Sequence, residues 1–135
     1  MASTVRGGPD ASLRLSVLGE RLAVCSLDPR TQIPAWAASA PFFSVTRTFD
    51  ELSVVCLEER VPAGITCERG WRALKLEGPL DFGLVGVLAS VAAPLAESGV
   101  GVLAIATYDT DYVLVKEEQL DPATAALRGS GHEVR

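Results

Sequence analysis

Residues 79–116 read PLDFGLVGVLASVAAPLAESGVGVLAIATYDTDYVLVK, and this stretch decides the fold. It is entered through a short turn, Gly78-Pro79-Leu80-Asp81-Phe82-Gly83. A nearly apolar run over 84–97 follows and closes at Gly99. Leu84, Leu88, Val91 and Leu95 fall at helical spacing, and Val85, Ala89, Ala92 and Ala96 form a second, small-residue face. That pattern predicts a helix packed on a sheet on one side and on something else on the other. Asp81 stands where its carboxylate can accept free N–H bonds of the first turn. Pro94 is expected to kink the last turn, and Gly99 suits the position just past the helix. Two runs rich in β-branched residues, 102–106 and 112–115, predict strands joined by Tyr108-Asp109-Thr110.

Outward from that core, the alternation of Leu13, Leu15 and Val17 predicts a strand. Gly19-Glu20 predicts a tight turn into a second strand over 22–27, so the pair reads as a hairpin. Pro34 predicts a short helix to about residue 39, anchored by Trp36 and ended by Pro41. Strands are expected over 42–47 and 52–57, with a turn at Thr48-Phe49-Asp50-Glu51. Residues 58–70 are charged and broken by Pro62, Gly64 and Gly70, which predicts a loop with at most a short strand at 65–67. A strand over 71–76 then leads into the central helix. The chain closes with a helix over 120–128, Gly129 past its end, and a last short strand at Glu133-Val134. Residues 1–12 are expected to be a disordered tail.

An internal repeat links the two halves. At one constant offset Thr48 falls on Thr107, Phe49 on Tyr108, Asp50 on Asp109, Val54-Val55 on Val113-Leu114 and Glu58-Glu59 on Glu117-Glu118. With a gap, residues 23–29 face 73–79.

Composition removes several function classes. At 135 residues with 48% hydrophobic and 21% charged residues, the chain has matter for a real core. A net charge of −5 with acids spread along the chain argues against nucleic acid, which needs clustered Lys and Arg. No apolar run reaches the roughly 18 to 20 residues of a membrane span. Arg6-Gly7-Gly8-Pro9-Asp10 is polar where a signal peptide would be apolar, so a cytoplasmic location is expected. Cys25, Cys56 and Cys67 fit neither a disulfide framework nor a zinc motif and are expected to be buried or half-buried strand residues. His132, among glycines, is expected to be exposed, Glu117-Glu118 to be a solvated helix start, and Trp36 and Trp71 to be core anchors. No nucleophile motif, P-loop or paired-His metal motif is present, so no catalytic residue, metal or cofactor is expected.

Two non-catalytic functions fit these residues. One is a small-ligand pocket. The N–H groups near Phe82, Gly83 and Leu84 lie at a helix N-terminus, which favours an anion such as a carboxylate. Gly83 lets backbone approach a ligand closely. Asp81, or Asp109 and Asp111 in the later turn, can accept from an ammonium, and Tyr108 and Phe82 can wall the space. The other is a ligand-free interaction module that dimerises through the apolar second face of the central helix and exposed strand edges.

The order β-α-β-β-α-β over 71–134 is the ferredoxin-like split unit. With it, four motifs carry a family resemblance: Phe42-Phe43-Ser44-Val45-Thr46-Arg47-Thr48, Glu68-Arg69-Gly70-Trp71-Arg72, Glu77-Gly78-Pro79-Leu80-Asp81-Phe82-Gly83, and the run from Thr107 through Tyr112 to Lys116. The chain resembles the ACT domain family, and from about Leu13 it resembles small bacterial tandem-ACT proteins, related to CASTOR-type arginine sensors and the ACT pairs of aspartate kinases. The resemblance implies an α+β fold of two tandem ACT units sharing antiparallel sheets: a degenerate unit over 13–68 and an ACT domain over 69–135. It implies a homodimeric amino-acid sensor without chemistry, its ligand held between ACT units. The expected ligand-binding residues are Ser44, Val45, Asp81, Phe82, Gly83, Leu84, Thr107, Tyr108 and Asp111. Carried over from the sensors, Asp111 would select a basic or polar amino acid.

Overall fold

The structure, a computed structural model, describes residues 12–77 and 86–135. The chain forms two compact units, Met1–Leu18 with Arg72–Arg135, and Gly19–Trp71. The strand β1 (Arg14–Leu27) runs through both units, as does β4 (Cys67–Leu76). They pair with each other in each unit: the Glu77 N–H donates to Arg14 O at 2.8 Å, and the Ser26 N–H to Thr66 O at 3.0 Å.

The C-terminal unit carries the order expected for the split unit: the second half of β4, α1 (Val87–Glu97), β5 (Leu103–Ala106), β6 (Asp111–Lys116), α2 (Leu120–Gly129) and β7 (Glu133–Val134). Its strands lie in the order β7-β1-β4-β6-β5. β5 and β6 are antiparallel, whereas β7 pairs parallel to the start of β1. Leu15, Leu74, Leu76, Val87, Val91, Leu95, Val113, Val115 and Leu127 close one core between sheet and helices.

The other unit orders β2 (Ser44–Arg47), β3 (Leu52–Leu57), the second half of β1 and the start of β4. Cys25, Ala37, Leu52, Val54, Cys56 and Val61 form its core, with Trp36 packed against it. Trp71 is buried, as expected of an anchor. Cys25 and Cys56 are buried and Cys67 is half-buried, all three as free thiols.

Several local expectations fail for identifiable reasons. Residues 14–27 are one strand, not a hairpin; Gly19 has no positive φ and marks the passage from one unit to the other. Between Pro34 and Pro41 there is no helix. The Ala37 N–H reaches Pro34 O at 3.1 Å and the Ala38 N–H reaches Ala35 O at 3.3 Å, bonds of isolated turns, because six residues between prolines cannot repay helix nucleation. Residues 68–70, expected in a loop, lie in β4, which runs through Gly70 at φ +79°.

On α1 the buried residues are Val87, Ser90, Val91 and Leu95, while Leu88 is exposed. The expected cap at Asp81 lies outside the described residues, but α1 begins at Val87 and not at the expected Leu84, because Gly86 before it has φ +82° and does not continue a right-handed helix. Gly99, at φ +77°, ends α1 as expected: its N–H reaches Ala96 O at 3.0 Å and the Val100 N–H reaches Leu95 O at 2.9 Å. α2 ends in the same way, but two residues later than expected, on Gly131 at φ +94°. The Gly131 N–H reaches Arg128 O at 3.0 Å and the His132 N–H reaches Leu127 O at 3.1 Å.

That ending overturns the exposed placement of His132. The residue after such a glycine folds back over the helix, and the His132 ring is only 4% exposed. Its Nδ1 accepts from the Leu13 N–H at 3.1 Å, and its Nε2 lies 2.9 Å from Ser90 O. With Nδ1 accepting, Nε2 carries the ring proton and donates. Pro94 explains why Ser90 O needs this donor. Proline has no N–H, so the carbonyl four residues before it has no helical partner. Glu117 also departs from a solvated helix start: it sits half-buried in a 3-10 turn (Glu117–Gln119) and pairs with Arg72 at 3.4 Å.

The expected tail lies, apart from Ser12, outside the described residues; Ser12 Oγ donates to Gly131 O at 2.8 Å.

Candidate functional site

The corner between β5 and β6 is built by two threonines. The Thr107 N–H donates to Thr110 O at 2.8 Å, and the Thr110 N–H donates to Thr107 Oγ1 at 3.2 Å. The turn therefore closes on its own side chain, as Thr does in such positions. Thr110 is 5% exposed, and its hydroxyl donates to Leu76 O at 2.6 Å. Leu76 ends β4. The corner is thus fastened to the end of the strand that leads toward Gly78-Pro79.

Around this anchor, Asp111 is half-buried at the first position of β6, opposite Ala106. Thr107 is exposed, and Tyr108 is 82% exposed at the tip. Asp81, Phe82, Gly83 and Leu84 lie outside the described residues. Ser44 and Val45, both half-buried, belong to the other unit, on β2 opposite Val55 and Val54. Sequence reasoning named the turn but missed Thr110 as its anchor. A hydroxyl between two aspartates reads as solvent-facing, and its burial depends on a strand 34 residues away.

The hairpin of the other unit has the same construction. Ser44↔Val55 and Arg47↔Leu52 repeat as Leu103↔Leu114 and Ala106↔Asp111, each 59 residues on (103 less 44, 114 less 55). The Thr48 N–H donates to Glu51 O at 2.9 Å, and the Glu51 N–H to Thr48 Oγ1 at 3.2 Å. Here Ser26 Oγ donates to Glu51 Oε1 at 3.0 Å, fastening this corner to the end of β1. The 3-10 turns that follow, Glu58–Arg60 and Glu117–Gln119, also correspond.

Among the described residues, no group of three or more His, Cys, Asp and Glu side chains could hold a metal, and no helix is long and apolar enough to cross a membrane.

Comparison with known proteins places this architecture. The family model for the ACT domain matches residues 66–129, and a second model, of an N-terminal domain, matches 20–64. The cytosolic arginine sensor for mTORC1 subunit 1 of Bos taurus is 34% identical over 90 residues, 58% of this chain and 27% of that protein. The chain therefore spans about a quarter of the length of such relatives. A crystal structure of an Agobacterium tumefaciens protein is 35% identical, covers 92% of both chains and has a TM-score of 0.88. The aspartate kinase of Clostridium acetobutylicum shares the fold at 10% identity, with a TM-score of 0.65 over 89% of this chain and 35% of that one. The strand-helix order and the family-model match agree: residues 66–129 of the chain are a member of the ACT domain family.

Proposed function

We propose that this chain is a regulatory module that binds a free amino acid where ACT units meet and catalyses no reaction. The observation that carries this is the buried Thr110–Leu76 bond. It holds the acidic corner beside the strand that leads into the glycine turn. In the proposed site the N–H groups of Phe82, Gly83 and Leu84, which precede α1 in the sequence, take the ligand carboxylate. Asp81 or Asp111 accepts from its ammonium or a cationic side chain, with Ser44, Val45, Thr107 and Tyr108 completing the site. An arginine sensor among the relatives supports a basic or polar ligand. The shared hairpin register supports residues 13–68 as a degenerate ACT-like unit preceding the ACT domain of 69–135. The protein works in the cytoplasm as a homodimer.

A second reading, a ligand-free dimerisation module, is favoured by β5, an edge strand without charge whose Leu103 is exposed. Thermal unfolding in the presence of each of the twenty amino acids separates them. A binder at a hundredfold excess over its dissociation constant adds about 2.7 kcal/mol. A flat screen with a concentration-dependent melting temperature would favour the dimerisation module.

A further inference from the structure

We infer that the unit Gly19–Trp71 holds a binding site of its own, for a small anion with a flat apolar body, namely an aromatic carboxylate. A groove of about 680 Å³ is lined there by Pro29, Arg30, Arg47, Thr48 and Phe49. It lies between the end of β1 and the turn after β2. Both charged side chains among these lining residues are cationic.

Arg47 is set in place by the fold. One terminal nitrogen donates to Pro29 O, and the other donates to Thr31 O at 2.9 Å. Two of the five guanidinium N–H groups are thereby used, and the plane of the rest is fixed. Such a fork matches a carboxylate, and a fixed one loses little freedom on binding it. Arg30 supplies a second, more mobile charge: its side chain is 91% exposed and its Nε lies 3.7 Å from Asp28 Oδ1. Asp28 also accepts from the Arg30 N–H at 2.9 Å, which keeps Arg30 in the loop. Glu51, the residue just before β3, is engaged by Ser26.

The apolar half of the site is Phe49 with Pro29. Phe49 stands at the turn tip with its ring entirely in water, at 102% relative exposure. A ring so placed gains from stacking a second ring on its face. Inorganic phosphate would satisfy the arginines but leave Phe49 and Pro29 wet, so the lining favours an aromatic carboxylate over a bare anion. The groove uses none of Thr107, Tyr108 or Asp111, so it stands or falls independently of the amino-acid site.

Amide spectra of the 15N-labelled full chain, titrated with phenylacetate, phenylacetamide and inorganic phosphate in turn, test this. Phenylacetate is expected to give saturable shifts centred on Arg30, Thr31, Arg47, Thr48 and Phe49. Phenylacetamide, lacking the charge, should bind on the order of tenfold more weakly, and phosphate should not saturate. Arg47→Gln would loosen the loop it ties down, so the decisive variants are Arg30→Gln and Phe49→Ser. Each should weaken phenylacetate binding about fivefold or more at an unchanged melting temperature. Equal binding of phenylacetamide or of phosphate would overturn the inference. So would unchanged affinity in both variants, shifts confined to Thr107, Tyr108 and Asp111, or no saturable shift at all.

Discussion

His132→Phe removes both ring nitrogens from a site that is 4% exposed. Ser90 O loses its donor at 2.9 Å and the Leu13 N–H loses its acceptor at 3.1 Å. Each buried polar group left without a partner costs about 1–3 kcal/mol. The retained ring offsets part of that, so a net loss of about 3 kcal/mol is expected. The cause assigned to the Ser90 bond can be tested separately. Pro94→Ala restores an N–H four residues after Ser90, which then satisfies the carbonyl inside α1. In that background His132→Phe should cost about 1 kcal/mol less, since the two changes share one acceptor. Urea unfolding followed by helical circular dichroism reports this well, because α1 and α2 belong to the same compact unit. Equal costs in the two backgrounds, within about 0.5 kcal/mol, would refute the idea that His132 serves the carbonyl Pro94 leaves unpaired.

Thr110→Val keeps the shape of the corner but leaves Leu76 O without its hydroxyl donor; a loss of about 1–2 kcal/mol and faster amide exchange at Thr107 and Thr110 are expected. Gly99→Ala forces a side chain into φ +77° and should cost about 1 kcal/mol in melting experiments, whereas Gly101→Ala, with no positive φ and open space at its Cβ, should be nearly neutral. Burial, and then the neighbouring thiols of Cys56 and Cys67, push the Cys25 thiol from 9.0 up to about 12, and burial raises Cys56 as well. Both groups hold their protons longer when folded, so stability should fall as pH climbs from 9.0 toward about 12. In the native chain at pH 8, alkylation followed by mass spectrometry should modify half-buried Cys67 before Cys25 or Cys56.

The strands of both hairpins were legible because β-branched residues fill their centres and polar turns punctuate them. Gly99 was legible as a helix end because only glycine takes its φ without strain. The same local signals misled where long-range structure decides. Gly19-Glu20 looks like a turn, yet it is the point where one long strand passes from one compact unit to the next. Pro34 looks like a helix start, but the segment to Pro41 is too short to close a ladder. His132 looks exposed among glycines, yet Gly131 is what turns it inward. Of the candidate site, the sequence located only the turn at Thr107 to Asp111, whose ligand role is a proposal. It could not locate the groove at Phe49, because that depends on Arg47 reaching back to the carbonyls of Pro29 and Thr31.

Calorimetric titration of the full chain and of its Asp111→Asn variant with free amino acids tests the sensing role most directly. The expected result is saturable heat from at least one basic or polar amino acid, weakened on the order of tenfold in the variant, because a charge-assisted bond from its ammonium or side chain is lost. No heat from any of the twenty, or the same affinity in both proteins, would contradict the assignment of Asp111 and its corner to an amino-acid site.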